Sequence, residues 1–218
     1  LWQRLTGQGL PRFEAGDLIG VVPQGSDLPR FYSLASGTTD GFLEICVRKQ
    51  AGGLCSGQLT ALEPGDTMTA FVRTNPAFRP SRGGKPVILI GAGTGIGPLA
   101  GFARANHLGR PMHLYFGTRH PASDALYAEE LSGWKDDGRL ASVSTAYSRT
   151  ATPAYVQDIL RKDAARLGRL IAAGGQVLVC GGREMAAGVA AALADILAPQ
   201  GVTLATLKAE GRYAEDVY

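Results

Sequence analysis

Val87–Gly101 reads VILIGAGTGIGPLAG, and this stretch decides the fold. Four apolar residues run into Gly91, Gly93, Gly95, Gly97 and Pro98, and an apolar segment of helical character follows. An unbroken apolar run is what a strand buried on both faces needs. Alternating glycines let the chain turn tightly and keep Cβ atoms away from main-chain N–H groups. A helix starting there points its free amides and its positive end at whatever lies over the turn, most often a phosphate. Pro98 suits the first turn of that helix, where a missing N–H is no loss. Neither of two common glycine signatures fits: G-x-G-x-x-G needs glycine where Ile96 stands, and a P-loop needs Lys followed by Ser or Thr. On this stretch alone, a ligand-free turn between a core strand and a helix stays open.

The chain has 218 residues, 45% of them apolar, which suffices for one large domain or two small ones with a real core. A net charge of +3 is compatible with an acidic partner and too small to argue for nucleic acid. Cys46, Cys55 and Cys180 are too widely and irregularly spaced for a disulfide framework or a metal cluster, and the three histidines make no ligand set, so no metal is expected. A reduced, cytoplasmic setting is the expectation. Apolar runs of spanning length are interrupted by charges or glycines, and the start carries no signal-peptide pattern. The chain opens at Leu1 rather than methionine, as a piece of a longer protein would. Membrane attachment, at the cytoplasmic face, would then come only through segments outside this chain.

Outward from the glycine turn, the two sides differ in rhythm. Before it, Gly16–Pro23, Arg30–Ser36, Phe42–Lys49 and Asp66–Arg73 are short runs rich in Val, Ile, Phe and Thr between Gly, Pro, Asp and Ser turns. That spacing predicts a small antiparallel β-barrel over residues 1–80. Pro76–Lys85, with three prolines and two glycines, reads as a linker. After it, strands are expected at Val87–Gly91, His113–Gly117, Ala141–Tyr147, Val177–Cys180 and Thr203–Leu207. Helices fall between them, including Ala154–Ala172 with its apolar residues at three- and four-residue steps, and Met185–Leu197. Residues 81–218 should thus form an α/β domain with a doubly wound, parallel five-stranded sheet and ligands at the C-terminal strand ends.

Those strand ends carry the candidate chemistry. An ordinary NAD-binding fold places an acid after its second strand; here Tyr115–Arg119 has none, and Arg119 follows. Ser148 and Arg149 end the next strand, with Tyr155 and Gln157 soon after. Arginine and hydroxyl groups there suit an adenosine 2′-phosphate, although each taken singly also reads as a solvated strand end. Cys180 beside Gly181-Gly182 is either a small buried hydrophobe or a residue facing the cleft. Tyr218, the last residue, reads by itself as a frayed end. In the first half, Arg30 and Tyr32 share one strand face and Ser33 takes the other, and Gly52–Ser56 is a second glycine-rich turn.

RFYSLAS, GGLCS, GAGTGIGP, YFGTR with YAEEL, YSR with YVQ, CGG with MA, and the terminal GRYAEDVY occur in this order. Together they resemble the ferredoxin–NADP⁺ reductase module, most closely its form in diflavin reductases such as the sulfite reductase flavoprotein subunit, over about Gly16–Tyr218. The resemblance implies a FAD-binding barrel followed by an NADP(H)-binding domain. It implies that Arg30 binds the FAD pyrophosphate, Tyr32 packs on the flavin and Ser33 hydrogen-bonds near its N5. Cys46 and Val47 would lie beside FAD, and Gly53, Leu54, Cys55 and Ser56 would take its pyrophosphate. Gly93, Thr94 and Gly95 would hold the NADPH pyrophosphate, while Ser148, Arg149, Tyr155 and Gln157 would read the 2′-phosphate, beside the Arg119 already noted at its strand end. Ser33, Cys180 and Asp216 would line the site of hydride transfer, with Tyr218 stacked on the flavin and giving way to the nicotinamide.

The implied activity is hydride transfer from NADPH to FAD, then single-electron transfer to an FMN domain, a flavodoxin, a ferredoxin, or a haem or iron–sulfur protein. A free-standing flavodoxin or ferredoxin reductase and a non-catalytic nucleotide-sensing module are the alternatives. Three departures from the family pattern stand out. Only Gln24–Leu28 separates the first strand from Pro29-Arg30, where diflavin reductases carry a large helical insert. Pro153 stands where a lysine is usual before Tyr-x-Gln, and Leu99–Gly101 replaces the Phe-Arg that often follows the glycine turn.

Overall fold

The computed structural model describes residues 11–218, so the first ten residues of the expected barrel lie outside the description. Strands β1 (Leu18–Val22), β2 (Arg30–Ser33) and β3 (Thr69–Arg73) form an antiparallel sheet in the order β2-β1-β3. Ile19 lies opposite both Tyr32 and Val72, and this face packs with Phe13, Val21, Leu34 and Cys55, the last from helix α1 (Leu54–Leu59). The other face turns outward. There Phe31 and Phe71 meet edge to face at 5.9 Å, and both are exposed.

The strand expected over Phe42–Lys49 is reduced to a single bridge between Ile45 and Leu34. Beside it the Ala35 N–H donates to the Glu44 carbonyl at 2.8 Å and the Glu44 N–H to the Ser36 hydroxyl at 2.9 Å, while the Glu44 side chain and Cys46 are engaged by the second half of the molecule. Among the described residues the first half is therefore a three-stranded sheet rather than a closed barrel.

The second sheet is parallel, with β4 (Val87–Ala92), β5 (Met112–Thr118), β6 (Ser142–Tyr147), β7 (Gln176–Gly181) and β8 (Tyr213–Val217) in the order β6-β5-β4-β7-β8. Side chains alternate across a strand, so Val87 and Leu89 enter one core and Ile88 and Ile90 the other. Helices α2 (Ile96–Arg104) and α3 (Ala128–Asp136) cover the first core. Helices α4 (Val156–Lys162), α5 (Ala164–Ala172), α6 (Arg183–Leu197) and α7 (Leu204–Ala209) cover the second. Because both faces are covered, the continuous apolar reading of β4 was the right one.

Two expectations in this half need correction. Thr203–Leu207, read as a strand, starts α7 instead. The Thr203 hydroxyl accepts the Thr206 N–H at 3.1 Å as an N-cap, and Leu204 and Leu207, one turn apart, both reach the core. The fifth strand is β8, reached through a turn at Gly211. Ala154–Ala172 is two helices, not one. They part at Asp163, whose carboxylate accepts the hydroxyl of the buried Tyr115.

Pro76–Lys85 is irregular, as a linker should be, yet it is firmly tied. Arg79 binds Asp17 at 2.6 Å and also pairs with Glu14, and the Ser81 N–H donates to the Gln176 side chain at 2.8 Å.

Candidate active site

In the five-stranded sheet the chain moves outward from β4 to β5 and β6, then returns to β7 on the other side. Between β4 and β7 the connections diverge to opposite faces and leave a crevice at the C-terminal strand ends, which is where open α/β sheets bind ligands. The glycine turn sits there. Gly93 adopts φ +57°, and a Cβ on it would meet nothing within 4 Å. Gly95 is the opposite case: its Cβ would fall 2.1 Å from the Cys180 carbonyl oxygen. One glycine keeps a space open; the next lets β4 and β7 close together.

Cys180 lies opposite Gly91 on one side and Asp216 on the other. Burial, then the nearby Asp216 carboxylate, push its thiol well above the ordinary value, so the sulfur stays neutral. Asp216 in turn accepts the Ser33 hydroxyl from β2, a bond between residues 183 positions apart. The strand then ends with the Tyr218 N–H donating to the Gly181 carbonyl at 3.3 Å, and the phenol lies 2.6 Å from the Thr94 hydroxyl. Ser33, Thr94, Cys180, Asp216 and Tyr218 are thereby drawn from four separate parts of the chain to one place. Cys46 borders it, since a Cβ on Gly97 of α2 would stand 3.2 Å from the Cys46 Cβ. Burial and the Glu44 charge push the Cys46 thiol up to about 11. Val47 follows, half-buried.

A second group gathers at the ends of β5 and β6. The Arg149 N–H donates to the Arg119 carbonyl at 2.9 Å, and Ser148 bonds the Thr118 carbonyl through its N–H at 2.9 Å. Both arginine side chains are exposed, and neither has an ion-pair partner among the described residues. Exposed Tyr155 caps α4, while Gln157 packs toward α6, its amide carbon 3.1 Å from where a Gly188 Cβ would be.

A third group lies on the three-stranded sheet. Tyr32 packs with Cys55, and burial together with their hydrogen bond keeps the phenol protonated above its usual range. Gly53, Leu54, Cys55 and Ser56 are the start of α1 rather than an open turn, with the Ser56 hydroxyl accepting the Gln50 N–H at 3.1 Å. Arg30 is exposed, and its guanidinium folds back on the Leu28 carbonyl at 3.2 Å.

Sequence reasoning missed the seam that fixes these groups relative to one another. Glu44 accepts from the Tyr127 hydroxyl and from Arg104 at 3.2 Å, and Arg104 also donates to the Ala35 carbonyl at 2.7 Å while lying over Phe42 and Trp134. Tyr127 holds φ +58°, a strained value for a non-glycine residue. Its signal was present in the YAEEL motif, but nothing in the local pattern names a partner 83 residues away.

Residues 89–191 match the model of the oxidoreductase NAD-binding domain. The chain is 34% identical over 217 residues to NADPH oxidoreductase A of Dictyostelium discoideum, covering 88% of this chain and 34% of that protein. The chain carries an oxidoreductase NAD-binding domain and is similar to NADPH-dependent reductases. It is also 34% identical over 225 residues to NADPH–cytochrome P450 reductase of Oryctolagus cuniculus, with 87% of the chain and 33% of the relative covered. Against the sulfite reductase flavoprotein alpha-component of Serratia proteamaculans it is 34% identical over 215 residues, with 87% and 36% covered. The chain thus spans about a third of the length of these curated relatives. No described helix is long and apolar enough to cross a membrane, and no described cluster of His, Cys, Asp or Glu is suited to a metal ion.

Proposed function

We propose that this module binds FAD on its first half, residues 1–80, and NADPH on its second, residues 81–218. It takes a hydride from NADPH and delivers electrons singly to an acceptor protein or fused domain: a flavodoxin-like FMN domain, a flavodoxin or ferredoxin, or a haem or iron–sulfur protein. The observation that carries this reading is the Ser33–Asp216 hydrogen bond, which joins the two halves beside Cys180. A module that only sensed a nucleotide would have no use for three such groups converging across two sheets.

The residues fit both cofactors. Over the glycine turn, the open side of Gly93 and the first amides of α2 suit the NADPH pyrophosphate. Arg119 and Arg149, unpaired among the described residues, with Ser148 and Tyr155, suit the 2′-phosphate. On the other half, Tyr32 and Arg30 share a strand face next to the start of α1, so an aromatic surface, a guanidinium and main-chain amides stand together for FAD. When bound, FAD supplies the conversion of a two-electron donation into two one-electron deliveries.

The protein's own part is position and charge. Loss of hydride leaves positive charge on the nicotinamide, and the Asp216 carboxylate stabilises it from within the cleft. Ser33 orients that carboxylate by donating its hydroxyl proton. Cys180 stays neutral, so it packs against the nicotinamide without adding charge. With FAD bound, Tyr218 would cover the flavin face and give way to the nicotinamide. Free Cys46, Cys55 and Cys180 suit a reducing, cytoplasmic setting.

The test is an anaerobic visible spectrum of the chain reconstituted with FAD, recorded before and after NADPH and, separately, NADH. Rapid bleaching by NADPH and slow bleaching by NADH is the expected result. A protein that stays colourless after FAD is added overturns the reading, and equal bleaching removes the 2′-phosphate assignment alone.

A further inference from the structure

Thr94 lies in the one-turn helix Gly93–Gly95 that joins β4 to α2, and its hydroxyl is 2.6 Å from the Tyr218 phenol. Among the described residues this is the one side-chain hydrogen bond that either group makes. Tyr218 is exposed, and its ring pairs with none of the described aromatic rings. Its backbone is held by a single long bond to Gly181. Among the described residues it is the hydroxyl, and no aromatic neighbour, that ties Tyr218 to the glycine turn. Two residues earlier, Asp216 is tied to Ser33, so the terminal residue can turn away while the rest of β8 stays in place.

Thr94 belongs to the turn that receives the dinucleotide's pyrophosphate, and on that part of the proposed function the present inference rests. Thr94 is half-buried, whereas Gly93 beside it is exposed. We infer that the Tyr218 hydroxyl is a latch on the pyrophosphate site: it covers the accessible side of the Thr94 hydroxyl, and an incoming pyrophosphate must displace it. A phosphate oxygen wins this exchange because charge-assisted hydrogen bonds are stronger than neutral ones. The same exchange frees the Tyr218 hydroxyl and so removes one of the holds on its ring. Docking of the phosphate end thus loosens the aromatic residue before the nicotinamide arrives, and the two ends of the dinucleotide are coupled through one hydrogen bond.

Titration calorimetry of the FAD-loaded protein separates this from simple displacement of the ring by nicotinamide. The probes are 2′-phospho-ADP-ribose, which carries the pyrophosphate but no nicotinamide, and 2′-AMP, which carries neither. Tyr218→Phe keeps the ring and removes only the latch, so it binds 2′-phospho-ADP-ribose about two- to tenfold more tightly, the worth of one hydrogen bond, and binds 2′-AMP unchanged. In a Thr94→Val background, Tyr218→Phe brings no further gain. Equal or weaker binding of 2′-phospho-ADP-ribose by Tyr218→Phe, with wild type binding both probes, overturns the latch and leaves the dinucleotide site standing. Failure of wild type and variant alike to bind either probe overturns the dinucleotide reading and the latch with it.

Discussion

The two sheets are held in opposite ways. In the parallel sheet β4, β5 and β7 are buried almost throughout, with a core on each face, so its stability is internal. In the antiparallel sheet β3 is exposed along most of its length, and Phe31 and Phe71 face solvent. That sheet has one small core and otherwise leans on its neighbour. It does so through the linker, where Arg79 holds Asp17 by its side chain while its carbonyl accepts from the Gln176 amide of β7 at 3.2 Å, through Glu44 with Arg104 and Tyr127, and through α2, whose Gly101 would place a Cβ 2.6 Å from Ala15 Cβ and from the Ala35 carbonyl oxygen. The difference teaches that the proposed site depends on a seam more than on either sheet. Ser33 comes from the weaker half, Cys180 and Asp216 from the stronger, and only the seam fixes their distance.

The comparison breaks first at Gly95. Gly95→Ala drives a Cβ into the Cys180 carbonyl, backbone against backbone, and should cost at or beyond the top of the roughly 1–3 kcal/mol range for overpacking. Denaturant unfolding should show the whole molecule affected, because the damage lies in the half that holds up the other. A loss below about 1 kcal/mol refutes the picture of a rigid switch point.

Arg79→Ala strikes the seam. It strips the partner from Asp17, whose side chain is 3% exposed, although two backbone N–H groups, from Glu14 at 3.0 Å and Asn75 at 2.8 Å, remain. Arg79 is itself 29% exposed, so the cost should be about 2–3 kcal/mol, below the ~3–5 kcal/mol of a fully buried pair. Hydrogen exchange should rise in β1–β3 and not in β4–β8; a uniform rise would mean that the two halves melt as one.

The smallest effect is Tyr127→Phe, which removes one hydroxyl from Glu44 while Arg104 stays bound. About 1 kcal/mol is expected, a fall in Tm of roughly 2–4 °C for a chain of this size. An unchanged melting temperature would show that Arg104 alone carries that part of the seam.

How much of this was legible in the sequence follows from the range of the forces involved. Val87–Gly91 was readable because burial on both faces leaves a continuous apolar run, Gly95 because a turn against β7 tolerates no side chain, and Gly93 because its φ of +57° favours glycine. Thr203–Leu207 misled because Val202, Thr203 and Leu204 suit a strand locally, whereas a capping hydroxyl and two leucines one turn apart decide for a helix. Phe42–Lys49 misled for the opposite reason: its composition suits a strand, yet a single bridge forms, and the side chains of Glu44 and Cys46 beside it are engaged by the other half of the chain. The convergence of Ser33 with Asp216, Cys180 and Tyr218 is a matter of long-range register, which no periodicity encodes. It entered the sequence reading only through family resemblance.

Helix α2 answers to two neighbours at once. Its first turn faces the crevice between β4 and β7, while Gly97 and Gly101 along one side lie against Cys46, Ala15 and Ala35 of the other half. For anyone exchanging nucleotide-binding halves between reductases, the boundary of the graft cannot be drawn at the linker alone. A donor half that brings alanine or larger at position 101 carries the right pocket and the wrong hinge face, and such a chimera should hold its dinucleotide yet misalign its flavin.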